Sequence, residues 1–258
     1  MEANHPEGYV RTSIDQQGIG RVEFYHPSGN SLPAAILNDL AVAINDVGTD
    51  DRAKVIVLQS AGDRAFCGGP YFDELLQIET EEQGKKFFNG FALVINAMRK
   101  CHKFIIVRVQ GKTVAGGVGL IAAADYAIAT EASSIKLSEL SIGIGPFVVG
   151  PVISRKIGVA GYSQLAIDST EWRSAEWARR HGLYAEMHPT VAGMDESVNI
   201  LAKKLTKVHP EAMIQLKKAF WEGTDNWDQL LPQRAAISGK LVLSEFTRNA
   251  LHTFKQKV

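Results

Sequence analysis

The stretch Val114–Thr130, VAGGVGLIAAADYAIAT, contains a glycine loop, a short apolar helical pattern and a predicted strand. A second glycine loop, FCGGP at Phe66–Pro70, also follows a predicted strand and precedes a helical pattern. Backbone N–H groups at two helix starts form an oxyanion hole when they point at one substrate atom, and the helix dipoles add to it. For either loop alone, tight turns and close packing explain the glycines as well as an oxyanion hole does. The pairing of the two loops favours a site that stabilises negative charge.

Two nucleotide-binding patterns occur in the same region, and neither fits its expected position. GVGLIA at Gly117–Ala122 matches G-x-G-x-x-G/A, but the seven residues Gln110–Gly116 separate it from the preceding strand. A dinucleotide-binding fold has this motif at the end of the strand. QGKT at Gln110–Thr113 resembles part of a P-loop, which requires glycine where Ile106 stands inside a strand. The sequence therefore does not predict a nucleotide phosphate site here.

One acidic residue, Glu139, stands alone in the apolar stretch IKLSELSIGIGPF. Because Leu137, Leu140 and Ile142 flank it, its carboxylate lies either at the surface or in an apolar pocket. Burial in such a pocket raises the pKa of a carboxyl towards the range useful for acid–base catalysis. A solvated turn residue or helix cap is the alternative interpretation. Glu139 is the candidate catalytic acid or base.

Composition and charge indicate which partners the chain has. Its 258 residues include 45% hydrophobic residues, 28 basic residues and 28 acidic residues, which balance to zero net charge. Without a large basic face, we expect neither nucleic acid nor an anionic membrane as a partner. No apolar run approaches the roughly 20 residues of a membrane span, and the N-terminus does not resemble a secretory signal. These features predict a soluble, cytoplasmic protein with a small-molecule partner.

Metal and disulfide chemistry are not indicated by the sequence. The two cysteines, Cys67 and Cys101, are too few for a disulfide framework. The seven histidines are scattered without metal-ligand spacing. We therefore predict no metal site and a reducing compartment.

The order of strand and helix patterns predicts an α/β core with a helical C-terminal third. Apolar, β-branched runs at Gly18–His26, Ala53–Ala61 and Lys103–Gly111 predict strands. Between the first two, apolar residues at helical spacing follow Pro33, a residue suited to a helix start. Beyond Val148 the pattern is almost wholly helical. Parallel strands connected by helices are the simplest arrangement of this order.

The motifs together resemble the crotonase superfamily, the enoyl-CoA hydratases and isomerases. AFCGG…DEL, QGKTVAGGVGL…ADYAIAT and KLSELSIGIGP occur in the order and at the separations typical of that family. The resemblance covers nearly the whole chain. It implies a spiral of ββα units over residues 1–195 and a C-terminal helical trimerisation region over residues 196–258. It also implies a homotrimer or a pair of trimers that acts on an acyl-CoA thioester without a permanently bound cofactor.

The resemblance assigns roles to residues of both glycine loops. Gly116 is expected to supply one oxyanion amide, and the residue after Gly69 the other. That residue is Pro70, which has no N–H. Tyr71 is a possible replacement donor through its phenol. The residues that the resemblance assigns to CoA and substrate binding are Ala65, Cys67, Gly68, Gly69 and Lys255.

The acids separate the possible reactions. Hydratases of this family use two glutamates; Glu139 matches one of them, and Gly119 stands at the position of the other. A single carboxylate suffices to move one proton between two carbons, so the count favours double-bond isomerisation over hydration. Asp73 and Glu74 are alternative acids, although a solvated first helical turn explains both better. An acyl-CoA decarboxylase and a catalytically weakened acyl-CoA-binding subunit remain alternatives.

Overall fold

The computed structural model describes residues 2–5 and 8–255, with side chains from 8 to 253. The strands are β1 (Glu2–His5), β2 (Gly8–Ile14), β3 (Ile19–Tyr25), β4 (Val55–Ser60), β5 (Ala65–Cys67), β6 (Ile105–Val109), β7 (Lys112–Val114), β8 (Tyr126–Thr130), β9 (Ser134–Lys136), β10 (Arg173–Ser174) and β11 (Glu186–His188). The helices are α1 (Ala34–Thr49), α2 (Phe72–Leu76), α3 (Glu81–Lys100), α4 (Gly116–Ala122), α5 (Gly150–Ile167), α6 (Ala175–Arg180), α7 (Val191–Leu205), α8 (Pro210–Phe220), α9 (Trp227–Leu241) and α10 (Glu245–Lys255). A 3₁₀ turn covers Glu139–Ile142.

The strands form two sheets, and from β4 to β9 the chain alternates between them. The larger sheet has the order β1-β2-β3-β4-β6-β8-β11, and the smaller sheet has the order β10-β9-β7-β5. From β3 to β11 neighbouring strands of the larger sheet are parallel, and β5, β7 and β9 are parallel in the smaller one. Each turn of the chain thus adds one strand to each sheet before a helical segment. This is the predicted repeat of ββα units.

Helices cover both faces of the larger sheet, and this explains its apolar strands. In β4, Ile56 and Leu58 belong to the main core with α1 and α3, whereas Val55 and Val57 pack with α7. Strands buried on both faces read as continuous apolar runs instead of alternating ones. That is why β4 and β6 are recognisable in the sequence.

The two short strands β5 and β7 are not predicted by the sequence. Each has three residues, which is too few to show an alternating pattern. They matter for the site because β5 leads into the first glycine loop and β7 into the second. Their parallel pairing brings the two loops side by side.

The C-terminal helices are held against the sheet core by specific contacts. The predicted domain boundary at residue 195 falls inside α7, which packs on the larger sheet through Met194, Val198 and Ala202. A buried ion pair of 2.8 Å joins Lys217 of α8 to Asp125 before β8. The division of the chain into two regions at residue 195 stays a prediction. Within the described part of the chain, no helix combines the length and apolarity needed to cross a membrane.

Candidate active site

The two glycine loops touch each other at their helix starts. Gly69 has φ +87°, and a Cβ added there would lie 3.1 Å from the Cβ of Ala115. A Cβ added at Gly117 would lie 2.6 Å from the Cβ of Cys67, so the loops meet at a second point too. Side chains at either glycine would push the loops apart. The paired loops predicted from the sequence are thus adjacent in space.

Gly116 begins α4 with its N–H free of a helical partner, as at every helix start. The preceding residue, Ala115, has φ 53° and ψ −123°, a conformation that strains residues other than glycine. The ring of Phe91 lies against Gly116, because an added Cβ would be only 2.1 Å from its Cε1. The strained turn and the close ring together fix the direction of the Gly116 amide.

Pro70, the position to which the resemblance assigns the second oxyanion amide, lines the cavity. The residues beside it bridge to Leu32: Leu32 N–H donates to Gly69 O at 2.8 Å, and Tyr71 N–H donates to Leu32 O at 3.2 Å. In an extended segment the flanking groups and the central residue's own N–H point in opposite directions. An N–H at position 70 would therefore point away from Leu32.

Glu139 is buried, and one of its carboxylate oxygens, Oε2, has no hydrogen-bond partner among the described residues. Burial raises the pKa of Glu139 to about 7, opposed only by a hydrogen bond from its own backbone. A carboxyl of this pKa exchanges protons readily near neutral pH. The surface interpretation of Glu139 does not apply.

Val149 fills the space beside Gly119. A Cβ added at Gly119 would lie 2.4 Å from Cγ1 and 2.7 Å from Cβ of Val149. Valine is rigid at χ1 and cannot swing aside. Gly119, the position that the resemblance matches to a hydratase glutamate, thus has no room for a side chain.

These features surround one small cavity of about 30 Å³, room for about two water molecules. Its wall includes three residues predicted from the sequence, Pro70, Gly116 and Glu139. The remaining lining residues come from α3, from the loop before α5 and from α9: Phe88, Phe91, Gly145, Pro146, Phe147, Val148, Val149 and Ser238. The arrangement places one amide and one protonatable carboxyl around an otherwise mostly apolar space.

The other acids considered near the first loop have structural partners outside this cavity. Glu74 accepts a hydrogen bond from Ala34 N–H at 2.8 Å, at the first residue of α1. Asp73 accepts one from the Tyr71 hydroxyl at 3.1 Å. Because the Tyr71 phenol and N–H are both engaged elsewhere, this geometry does not support Tyr71 as a replacement donor.

Four of the predicted CoA-binding residues, Ala65, Cys67, Gly68 and Gly69, shape the first loop and do not line the cavity. Burial raises the pKa of Cys67 to about 12, and its Sγ accepts a hydrogen bond from Gly69 N–H at 3.4 Å. Gly68 N–H donates to Asn30 O at 3.3 Å, and the Ala65 carbonyl accepts from Asn30 Nδ2 at 2.8 Å. Lys255 is the last residue of α10, and its side chain lies outside the described residues. Their role in CoA binding stays a prediction.

The sequence interpretation missed Ser238, a polar residue of the cavity wall. Leu231, Ala235, Ser238 and Val242 are all buried and recur at helical spacing. A serine within such an apolar stripe is the sequence signal that could have identified Ser238 as a site residue. Two larger clefts, of about 400 and 290 Å³, lie elsewhere. In the larger of these clefts, the Arg108 guanidinium already forms an ion pair with the Asp195 carboxylate at 2.5 Å.

Comparison with known proteins identifies the family. The model of the family described as enoyl-CoA hydratase/isomerase matches residues 15–257. The chain belongs to this family. The predicted membership of the crotonase superfamily is confirmed.

Individual relatives of this enoyl-CoA hydratase/isomerase family member include both reaction types. The "Probable enoyl-CoA hydratase" of Bacillus subtilis (strain 168) is 24% identical over 96% of each chain. The peroxisomal Delta(3,5)-Delta(2,4)-dienoyl-CoA isomerase of Arabidopsis thaliana is 24% identical over 73% of this chain and 71% of its own. The enoyl-CoA hydratase structure from Bacillus halodurans has a TM-score of 0.87 at 21% identity, covering 95% of this chain and 99% of that one. This likeness confirms the predicted fold.

Of the described residues, no three His, Cys, Asp or Glu side chains group so as to hold a metal ion. The Glu139 carboxyl and the Gly116 backbone N–H at the cavity offer proton transfer and amide hydrogen bonding. These are the groups that the chemistry of a thioester enolate uses.

Proposed function

We propose that the protein moves a carbon–carbon double bond within an acyl-CoA thioester, with Glu139 as the proton carrier. The Gly116 amide would hold the thioester oxygen while the Glu139 carboxylate removes a proton from Cα of a 3-enoyl-CoA. The electron pair then spreads over the thioester oxygen and the chain. Return of the same proton to Cγ gives the 2-enoyl-CoA, so no water or other reactant is consumed.

The observation that carries this proposal is the closed space beside Gly119. Hydration is assigned to two glutamates that position a water molecule, and Val149 leaves no room for a side chain at Gly119, the position that the resemblance gives to one of them. Among the described residues of the cavity wall, Glu139 alone carries a carboxyl group. One buried acid with a pKa of about 7 suits a shuttle that must both accept and give up a proton.

Pro70 favours a second candidate function, a catalytically weakened acyl-CoA-binding subunit. Loss of one oxyanion donor typically lowers the rate by 10²–10³. Such a protein would bind acyl-CoA thioesters and turn them over slowly or not at all. The decarboxylase alternative has no specific observation in its favour.

A comparison of three proteins tests the proposal. Wild type, Glu139→Gln and Glu74→Gln are assayed with 3-hexenoyl-CoA for isomerisation and with 2-hexenoyl-CoA for hydration. We expect isomerisation by wild type to exceed hydration, a loss of at least 10²-fold in Glu139→Gln, and near-normal rates in Glu74→Gln. Calorimetry checks that Glu139→Gln still binds hexanoyl-CoA.

Two outcomes would count against this function. Full activity in Glu139→Gln would remove the assigned acid. Tight binding without turnover of either thioester by wild type would favour the binding subunit.

We further propose assembly as a homotrimer or a pair of trimers, as expected for this family. Exposed apolar side chains such as Val159 and Ile167, each more than 70% exposed, are available for subunit contacts. Light scattering coupled to size-exclusion chromatography gives the mass directly. The cytoplasmic location stays a prediction.

A further inference from the structure

We propose that Ser238 selects acyl groups that carry an oxygen function, a hydroxyl or oxo group, just beyond the reacting double bond. The inference rests on the proposed acyl-CoA chemistry and adds the class of acyl chain. Ser238 and Glu139 are the two polar side chains among the described residues of the cavity wall. Ser238 is 1% exposed, so its hydroxyl meets either the cavity or the protein interior.

The close crossing of α3 and α9 fixes the position of Ser238. A Cβ added at Gly84 would lie 2.7 Å from the Cα of Gly239, and one added at Gly239 would lie 2.4 Å from Lys85 N. The two backbones therefore touch at this point, one residue from Ser238. Glycine at both positions is what permits the approach.

The direction of the Ser238 side chain follows from the antiparallel arrangement of the two helices. Arg99 in the last turn of α3 contacts Asp228 in the first turn of α9 at 3.1 Å, so the helices run in opposite directions. Side chains tilt towards the N-terminus of their own helix. Ser238 therefore tilts from the level of Gly84 towards Phe88, which lines the same cavity.

The distance between Ser238 and the oxyanion amide decides which part of a substrate it meets. Phe91 contacts Gly116, and Phe88 precedes it by three residues of α3, or roughly 4.5 Å. An extended chain advances roughly 3.5 Å for every three bonds. An acyl chain that runs along α3 from a carbonyl held at Gly116 would therefore bring its fifth carbon to the level of Phe88, next to Ser238.

The chemistry of a buried hydroxyl in an apolar wall supplies the selectivity. A polar group loses free energy when it is covered by an apolar ligand without a hydrogen bond. An acyl group with oxygen on the fifth carbon offers Ser238 a partner, whereas a methyl group there does not. Sites that hydrogen-bond a substrate group discriminate strongly against analogues that lack it.

Two thioesters of nearly equal shape test this proposal: 5-hydroxy-3-hexenoyl-CoA and 5-methyl-3-hexenoyl-CoA. We expect wild type to prefer the hydroxy substrate at least tenfold in kcat/KM, and Ser238→Ala to lower that ratio at least tenfold. Ser133→Ala, which removes an equally buried hydroxyl that does not line the cavity, should keep the wild-type ratio. A ratio between substrates does not respond to a general loss of folding.

A wild-type ratio near one, or an unchanged ratio in Ser238→Ala, would overturn the role of Ser238. If wild type isomerises neither thioester, the proposed reaction fails and the selectivity is measured by calorimetry instead. The ligands are then 5-hydroxyhexanoyl-CoA and 5-methylhexanoyl-CoA. Equal affinities of wild type for these two would overturn the selectivity on its own.

Discussion

The side chain of Val149 occupies the space into which any side chain at Gly119 would extend. The two positions lie on different elements, α4 and the loop before α5, and an added Cβ at Gly119 would lie 2.4 Å from Val149 Cγ1. The pair sterically excludes a side chain, and therefore a carboxylate, at position 119. The number of acids in this site is therefore set by packing as well as by the residue at one position.

The first prediction tests this steric relationship through stability. Gly119→Ala should lower the free energy of unfolding by about 1–3 kcal/mol, because overpacking a rigid core costs that much. Adding Val149→Ala to Gly119→Ala should restore little of the lost stability, since the Cβ at position 149 would remain 2.7 Å from the new methyl group. Adding Val149→Gly instead should restore more of that stability. Urea denaturation of the single and double variants measures the coupling between positions 119 and 149. If the effects on the free energy of unfolding are simply additive in both double variants, the two side chains do not clash.

The second prediction concerns the missing amide at Pro70. Pro70→Ala restores an N–H that points away from Leu32, at a residue of the cavity wall. We expect kcat to rise at least tenfold, because one oxyanion donor is worth 10²–10³ in rate. The dissociation constant of the acyl-CoA should change little, since the developing charge is largest in the transition state.

Pro33→Ala is the matched control for Pro70→Ala, since Pro33 also precedes a helix and does not line the cavity. It should leave kcat unchanged. An unchanged kcat in Pro70→Ala would show that the site works without a donor at this position.

Much of the site was predictable from the sequence because its residues have unusual local roles. Glycine loops at helix starts and an isolated acid are visible as patterns, and the cavity does bring Gly116, Pro70 and Glu139 together. Ser238 and Val149 were not predicted as site residues. Their role depends on the crossing of α3 with α9 and on the path of the loop before α5, which no local pattern encodes.

The fold shows the same division between local and tertiary information. Long apolar strands such as β4 and the helix α1 are predictable from periodicity. The three-residue strands β5 and β7 acquire their structure from pairing with each other. The sequence leaves the Tyr71 phenol open as a replacement donor, whereas in the structure it donates to Asp73, a contact decided by the turn of α2.

The third prediction concerns access to the cavity past Phe147. Its ring lies over Gly145, where an added Cβ would be 2.5 Å from Cε2, and the side chain is half-buried. A cavity of about 30 Å³ is smaller than a short acyl chain, so a substrate must displace part of the wall. Phe147→Ala should therefore lower the KM for branched acyl-CoA substrates more than for linear ones. Equal effects on both would argue for entry elsewhere.

The fourth prediction is the pH dependence of catalysis. Because burial raises the pKa of Glu139 to about 7, its carboxylate is the minor form below that pH. In the proposed isomerisation the Glu139 carboxylate acts first as a base, so kcat/KM should rise tenfold per pH unit below about pH 7 and level off above it. The profile of the free enzyme reports this pKa directly. A flat profile between pH 5 and 8 would exclude Glu139 as the base.

The last prediction links the same carboxyl to stability. In the unfolded chain Glu139 ionises with its ordinary pKa near 4.5, whereas in the native state its pKa is about 7. Between these two pH values the native state therefore holds a proton that the unfolded chain has lost, and stability falls as pH rises through this window.

Glu139→Gln removes this pH-dependent loss of stability. Its free energy of unfolding should equal that of wild type well below pH 4.5 and exceed it by up to about 3 kcal/mol above pH 7, since one pKa unit corresponds to about 1.4 kcal/mol. Thermal unfolding across this range measures the difference, with the exposed Glu131→Gln as the control that should show no such trend. A constant difference at all pH values would mean that the carboxyl ionises alike in both states, and that the site does not hold Glu139 in an apolar environment.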